Sequence, residues 1–200
     1  MNEKRLPDKL REAAGTPPLT DTARSRQNID EWFGLTAPSI WWDELESPIG
    51  ILYLAASPRG LCRIDFFGDQ ESFLGHLDPL ARTEHNSKAL ASVTTQLTEY
   101  FAQERRQFDL TLDLEHIAPF QRSVLQTALS IPAGLVWTYQ QVAQTIGKPK
   151  ASRAVGQALG RNPLPIVIPC HRVIGSDGSL HGYAGGLERK RMLLELEGAL

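Results

Sequence analysis

Hydrophobic residues recur with two different periods along this chain. Gly50-Ile51-Leu52-Tyr53-Leu54-Ala55-Ala56 reads as a strand, and Ser57-Pro58-Arg59-Gly60 as the turn after it. The next segment alternates: Cys62, Ile64 and Phe66 are expected on one face, Arg63 and Asp65 on the other. Residues 108–114, Phe-Asp-Leu-Thr-Leu-Asp-Leu, alternate strictly and predict another strand. Between these lies helical spacing, with Leu90, Val93, Leu97 and Phe101 along one side of a helix over 87–103. Ordered structure is expected to start near Ile40 to Trp42. The polar stretch 1–38, with Pro7, Pro17, Pro18 and Pro38, reads as a loose extension with a short helix near 8–14.

Past Ile117 the period becomes helical and the segments shorten. Pro119 opens a helix whose buried side carries Phe120, Val124, Leu125 and Ala128. Thr138 followed three residues later by Gln141 is a capping box, with Trp137 and Val142 placed as its hydrophobic staple. That helix is expected to stop at Gly147, and a second one to run over 152–159. Two helices joined by a short glycine-containing turn resemble a helix-turn-helix. The second presents small residues: Ala151, Ser152, Ala154, Gly156, Ala158 and Gly160, with Arg153 the one large polar group near its start. It lacks the amides that read base edges in a major groove, whereas small side chains allow the close approach that a minor groove demands. Close helix–helix packing favours the same residues. Gly175 to Ser179 predicts a turn, with Val173-Ile174 and Leu180 as the arms of a hairpin. A last helix over 187–196 is expected to bury Leu187, Met192, Leu193 and Leu196.

These elements predict a mixed α/β (α+β) chain: an extension over 1–38, a small antiparallel sheet with a helix over 39–116, and a helical, winged-helix-like portion over 117–200. Composition adds two constraints. No run of apolar residues is long enough to cross a membrane, and the N-terminus has no apolar core of a signal peptide. The two cysteines, Cys62 and Cys170, make neither a disulfide framework nor a metal cluster, which fits a reducing, cytoplasmic setting. Residues 117–200 hold nine Lys/Arg and four Asp/Glu, a balance of +5, against −7 for the first 116. A basic half hints at a polyanionic partner.

The candidate chemistry sits in Ile166-Val167-Ile168-Pro169-Cys170-His171-Arg172-Val173-Ile174. A cysteine nucleophile needs a rigid mount, positive charge nearby and a path for its proton. Pro169 can supply the first, His171 and Arg172 the second, His171 the third. Adjacent side chains diverge on either a strand or a helix, so a direct thiol–imidazole contact is awkward and a bridging water is easier. A carboxylate on the far side of the imidazole would fix its tautomer. Glu197, an acid where the helix dipole disfavours one, is the candidate, with Glu195 its competitor. Cys62 reads as structural, and His76, His85 and His116 as solvated or structural.

Pro169-Cys170-His171-Arg172-Val173 resembles the active-site signature of the O6-alkylguanine-DNA alkyltransferases, the methylated-DNA–protein-cysteine methyltransferases. The resemblance continues, in the family's order, through Ile131-Pro132-Ala133-Gly134, Thr138-Tyr139, Arg153-Ala154-Val155-Gly156, Asn162-Pro163, Gly182 to Gly186 and Leu193 to Gly198. It covers residues 118–199; residues 48–116 fit the family's variable N-terminal domain, of ribonuclease-H-like fold, only loosely. The resemblance implies direct reversal of DNA damage: minor-groove binding, flipping of an O6-alkylguanine (and an O4-alkylthymine), and irreversible transfer of the alkyl group to Cys170. It implies that His171, through a water, takes the thiol proton, that Glu197 holds His171, and that Asn162 braces the turn before the active-site strand. It implies that Arg153 fills the vacated place in the duplex, Tyr139 turns the 3′ phosphate, and Ala151, Ala154 and Gly156 lie against the groove. The pocket would be formed by backbone at Cys170 and Val173, by Tyr183, and by the Ala184-Gly185 loop. No metal or cofactor is implied. The partner would be duplex DNA, met by a monomer that could load cooperatively, with no membrane.

Ala184 stands where some members have serine, and Asp177 adds negative charge to the loop near DNA. Cys170 argues against the alkyltransferase-like proteins that lack the cysteine, and no cysteine-rich metal domain of a bifunctional regulator is expected. Two other readings compete: a helix-turn-helix module that binds DNA without chemistry, and a Cys-His-Glu hydrolase.

Overall fold

The computed structural model describes residues 39–66 and 68–200. The extension expected over 1–38 and its short helix lie outside the described residues. β1 (Ser39–Leu45), β2 (Leu52–Ser57) and β3 (Gly60–Asp65) are antiparallel neighbours, and β4 (Arg82–His85) joins β1 in parallel, giving the order β3-β2-β1-β4. No periodicity announces β4, because all four of its residues are exposed and nothing alternates. The chain reaches β4 through α1 (Gln70–Gly75), capped by the Asp69 carboxylate, which accepts from Ser72 N–H at 2.9 Å.

Both faces of the sheet are covered. One packs on the main core, with α2 (Ser87–Phe101) supplying Leu90, Val93, Leu97 and Tyr100; the other holds Ile40, Trp42, Tyr53 and Ala55 against Phe73 of α1. A bulge decides which face Cys62 takes. Ala55 pairs with Arg63 while Ala56 pairs with Leu61, so Cys62 is the extra residue. Leu61, Ile64 and Phe66 therefore reach the main core, while Cys62 packs on the second cluster instead of sharing a face with Ile64. Its thiol donates to Ala55 O at 3.3 Å, and burial pushes its pKa up to about 11.

Residues 108–114 do not form the expected strand. A single bridge pairs Leu61 with Leu112, through Leu61 N–H to Thr111 O at 2.9 Å and Asp113 N–H to Leu61 O at 2.8 Å. Upstream, the Gln96 side chain takes both backbone groups of Asp109, donating at 2.9 Å and accepting at 2.8 Å. Downstream, Ile64 N–H is taken by Pro163 O at 2.8 Å. The edge of β3 is thus shared between two loops, and the second leads into the site.

The C-terminal half adds α3 (Pro119–Leu129), α4 (Tyr139–Thr145), α5 (Ser152–Gly160) and α6 (Gly186–Glu197). Val124, Leu125 and Ala128 of α3, Val142 of α4 and Val155, Ala158 and Leu159 of α5 continue the same core. Ala158 is fully buried, so it does not belong to the outward small-residue face. The capping box forms in full: Thr138 Oγ1 accepts from Gln141 N–H at 3.1 Å, and Gln141 Oε1 accepts from Thr138 N–H at 2.7 Å. Gly147 takes φ +70°, and Gln140 ties the two helices by donating to Pro149 O at 2.9 Å and accepting from Ser152 Oγ at 2.7 Å. β5 (Trp137–Thr138) pairs in parallel with β6 (Val173–Ile174). The hairpin expected from Val173-Ile174 to Leu180 is therefore absent; residues 175–179 close only a turn, Gly175 N–H to Ser179 O at 3.0 Å. Among the described residues no helix is long and apolar enough to cross a membrane.

Gly60 is the tightest point of this arrangement. Its φ is +134°, and a Cβ there would sit 2.3 Å from Thr111 O. Gly60→Ala is expected to lower stability by about 3 kcal/mol, read from chemical denaturation; a loss below ~1 kcal/mol would show that the 108–114 segment moves aside freely.

Candidate active site

The segment leading to Cys170 forms no strand but a run of turns with one bridge, Pro165 to Ile168, and its geometry is held by side chains. After α5, Asn162 Oδ1 accepts from Leu164 N–H at 3.0 Å, and its Nδ2 donates to Ile168 O at 2.8 Å and to Cys170 Sγ at 3.2 Å. One amide thus spans the loop and reaches the thiol. Between these contacts Ile166 is fully buried with φ +74°, a conformation that a β-branched residue adopts only when its surroundings compel it. Pro169 leads into a 3-10 turn, Cys170–Arg172. Successive side chains on such a turn diverge by about 120°. Cys170 therefore faces a cavity while His171 faces the core, and no direct thiol–imidazole bond forms.

His171 is fully buried and its Nε2 lies 3.0 Å from Glu197 Oε1. Arg172 grips the same carboxylate twice, Nε to Oε2 at 2.8 Å and Nη2 to Oε1 at 2.8 Å, and also donates to Ile131 O at the end of α3. Burial alone would raise the Glu197 pKa; the hydrogen bonds and charges of His171 and Arg172 win and hold it at about 2. An ionised carboxylate only accepts, so His171 Nε2 carries the proton and Nδ1, buried without a partner among the described residues, keeps its lone pair. Burial holds the imidazole pKa below its ordinary value, against the opposing pull of Glu197. Glu195 is exposed, which settles its competition with Glu197. Arg172 is spent on Glu197 and does not supply the charge expected beside the thiol.

That charge comes from Lys190, a residue that no local pattern in the sequence marks as buried. Burial pushes its pKa down to about 8; its Nζ donates to Val173 O at 2.6 Å and to His181 O at 3.0 Å. Burial raises the Cys170 pKa, and the Asn162 hydrogen bond and the Lys190 charge offset part of that rise. The last helix buries Lys190, Leu193, Leu194 and Glu197, while the expected Leu187 and Met192 are 49% and 36% exposed. Residues 190, 193, 194 and 197 share one helical face, a spacing readable once charged residues are admitted to the buried stripe.

The cavity before Cys170 measures about 380 Å³ and is closed by Asn162, Pro165, Tyr183 and Ala184 from one side and by Arg63, Phe66 and His76 from the sheet side. His76 is solvent-exposed, as expected of a solvated histidine, and stands at the rim of this cavity, 3.5 Å from Asp65. Tyr183 stacks on Phe66 (centroids 6.0 Å apart, planes at 22°), and a Cβ on Gly185 would strike both rings. Gly185 thus stands behind the wall, and the Val173 carbonyl accepts from Lys190 Nζ at 2.6 Å. Tyr139 opens α4, half-buried, its hydroxyl 3.3 Å from His181 O and its ring close over Gly156. Arg153 projects from the first turn of α5 into solvent, beside Ala151 and the half-buried Ala154. Among the described residues no cluster of three or more potential metal ligands occurs.

Two family models match the chain. The DNA-binding domain of 6-O-methylguanine DNA methyltransferase matches residues 119–199, and the ribonuclease-like domain of the same family matches 40–114. A methylated-DNA–protein-cysteine methyltransferase of Methanosarcina barkeri is 44% identical over 158 residues, spanning 79% of this chain and 97% of that relative. The constitutive Bacillus subtilis protein of the same name is 42% identical over 159 residues, 78% and 94% of the two chains. The crystal structure of Mycobacterium tuberculosis O6-methylguanine methyltransferase superposes with a TM-score of 0.70 at 40% identity, over 80% of this chain and 93% of that one. Mycobacterium tuberculosis OGT in complex with DNA gives 0.69 at 38% identity with the same coverage.

The titrations of the buried cluster fix a pH dependence. His171, with a depressed pKa, contributes stability above about pH 6.5 that is lost as the unfolded chain takes up a proton below it. Glu197 contributes stability above its ordinary 4.5, lost as pH falls toward about 2. Melting temperature is expected to fall in two stages on acidification, and Glu197→Gln to flatten the second; equal slopes in both proteins would contradict the ionised Glu197.

Proposed function

The chain belongs to the 6-O-methylguanine DNA methyltransferase family, and from that premise we propose how its own residues divide the work. The protein repairs DNA by direct reversal, taking the alkyl group of O6-alkylguanine in duplex DNA onto its own cysteine. The observation that carries the assignment to particular residues is the split at Cys170–His171. The thiol looks into the cavity under the Asn162 amide, and the imidazole behind it has Nε2 committed to Glu197 and Nδ1 left to accept.

Cys170 gives up its proton through one bridging water to His171 Nδ1, and Glu197 balances the imidazolium. The sulfur attacks the alkyl carbon in line; the new C–S bond forms as the C–O bond breaks, and guanine leaves with the electron pair and takes a proton. The thioether resists hydrolysis, so each molecule acts once. Asn162 positions the thiol, and Tyr183, Ala184 and the backbone at Gly185 line or support the place of the base. The Val173 carbonyl, which already accepts from Lys190, keeps a second lone pair for the base.

Delivery is the task of α4 and α5. Ala151, Ala154 and Gly156 form the small surface that enters the minor groove, Arg153 fills the gap left by the flipped nucleotide, and Tyr139 turns its phosphate. Residues 117–200 form the DNA-binding and catalytic part, and 39–116 the α/β part that walls the cavity. A reducing cytoplasm suits a protein whose two cysteines are both free. The chain acts as a monomer, and no step draws on a cofactor.

Duplex DNA carrying labelled O6-methylguanine should leave at most one label per protein, on Cys170. Binding without transfer would favour a non-catalytic module, and ester turnover a hydrolase. Cys170→Ala should bind DNA and transfer nothing. Arg153→Ala should slow repair of duplex by about tenfold or more while slowing reaction with free O6-benzylguanine less than about threefold; equal losses would remove Arg153 from the flipping step.

A further inference from the structure

Tyr100 of α2 lies seventy positions before Cys170 in the sequence, yet its hydroxyl donates to Glu197 Oε1 at 2.7 Å. That oxygen already accepts from Arg172 Nη2 at 2.8 Å and from His171 Nε2 at 3.0 Å, whereas Oε2 accepts from Arg172 Nε. A carboxylate oxygen offers two lone pairs. Three donors on Oε1 therefore compete, and the bond to His171 is the longest of the three. Each donor that takes a share of the oxygen's charge leaves less of it to stabilise an imidazolium.

We propose that Tyr100 is a positioning residue for alkyl transfer: its hydroxyl, by sharing Glu197 Oε1, sets how firmly Glu197 holds His171 and so how readily His171 accepts the thiol proton. The inference rests on the role given to His171 above. Its effect is to weaken the base, since Tyr100 draws on the charge that would favour the protonated ring. Tyr100 is 2% exposed and packs edge-on to Phe101 and tilted against Phe108, so its ring is fixed and only the hydroxyl meets the carboxylate. The other titratable groups facing His171 and Glu197 are Arg172 on the turn, Lys190 on α6, Tyr183 on the preceding loop, and Arg105 and Arg106 beyond α2. Removing one hydroxyl from Tyr100 leaves all of them in place.

The experiment follows single-turnover loading of Cys170 by free O6-benzylguanine from pH 5 to 9, read by intact mass, with a parallel 15N titration of the His171 ring. Tyr100→Phe should move the acid limb of the rate and the His171 titration up together, by about 0.5 pH unit or more. Replacing Tyr100 with 3,5-difluorotyrosine, a stronger donor of the same shape, should move both down. Coincident profiles in all three proteins, with only the melting temperature altered, would overturn the proposal and leave Tyr100 a packing residue. If the Phe variant does not fold, the fluorinated protein decides alone, and an unmoved profile sinks the idea. Absence of any thioether on Cys170 in the parent would overturn the alkyltransfer reading itself, while the His171 titration would still decide for or against Tyr100.

Discussion

A buried carboxylate needs partners, and Glu197 finds three of them in two distant parts of the chain. Leaving that charge unpaired in the core would cost several kcal/mol. Arg172 answers it from the catalytic turn and is itself tied to the end of α3 through Ile131 O; His171 answers from the same turn, and Tyr100 from α2. The demand for satisfaction draws α2, α3, the turn and α6 to one point. The thiol is placed as a by-product. Once His171 and Arg172 are claimed by Glu197, the 3-10 turn leaves Cys170 only the opposite direction.

That direction opens on a cavity which neither half of the chain encloses alone. Phe66, at the end of β3, stacks on Tyr183 and presses on Gly185, and the backbone of Ile64 is bonded to Pro163 just after Asn162. The sheet is therefore a wall of the reaction chamber. Ile166 fits the same picture: a strained backbone persists where Asn162 on one side and the core on the other over-determine it.

Much of this could be read from sequence where local chemistry and tertiary demand agree. The capping box at Thr138 and Gln141, the small-residue helix, and the divergence of Cys170 from His171 follow from short-range rules, and the structure places them so. The failures have one cause in common: a side chain or an odd residue overrides periodicity. The alternation of 108–114 is real, but Gln96 takes its hydrogen bonds before a strand can. The bulge at Cys62 shifts one position in β3 and reverses a face. In α6 the search for an apolar stripe chose Leu187 and Met192, because hydrophobicity cannot announce that Lys190 and Glu197 go inside. Tyr100 had the spacing of a core residue; nothing local tells that its hydroxyl points at a carboxylate ninety-seven positions away.

The depth of Cys170 has a consequence for the protein's life between encounters. An acceptor that works once is destroyed by any electrophile or oxidant that reaches it first. Peroxide and adventitious alkylators react with thiolates, and burial holds this sulfur toward the thiol form. The same burial that makes the nucleophile sluggish at rest preserves it from futile spending.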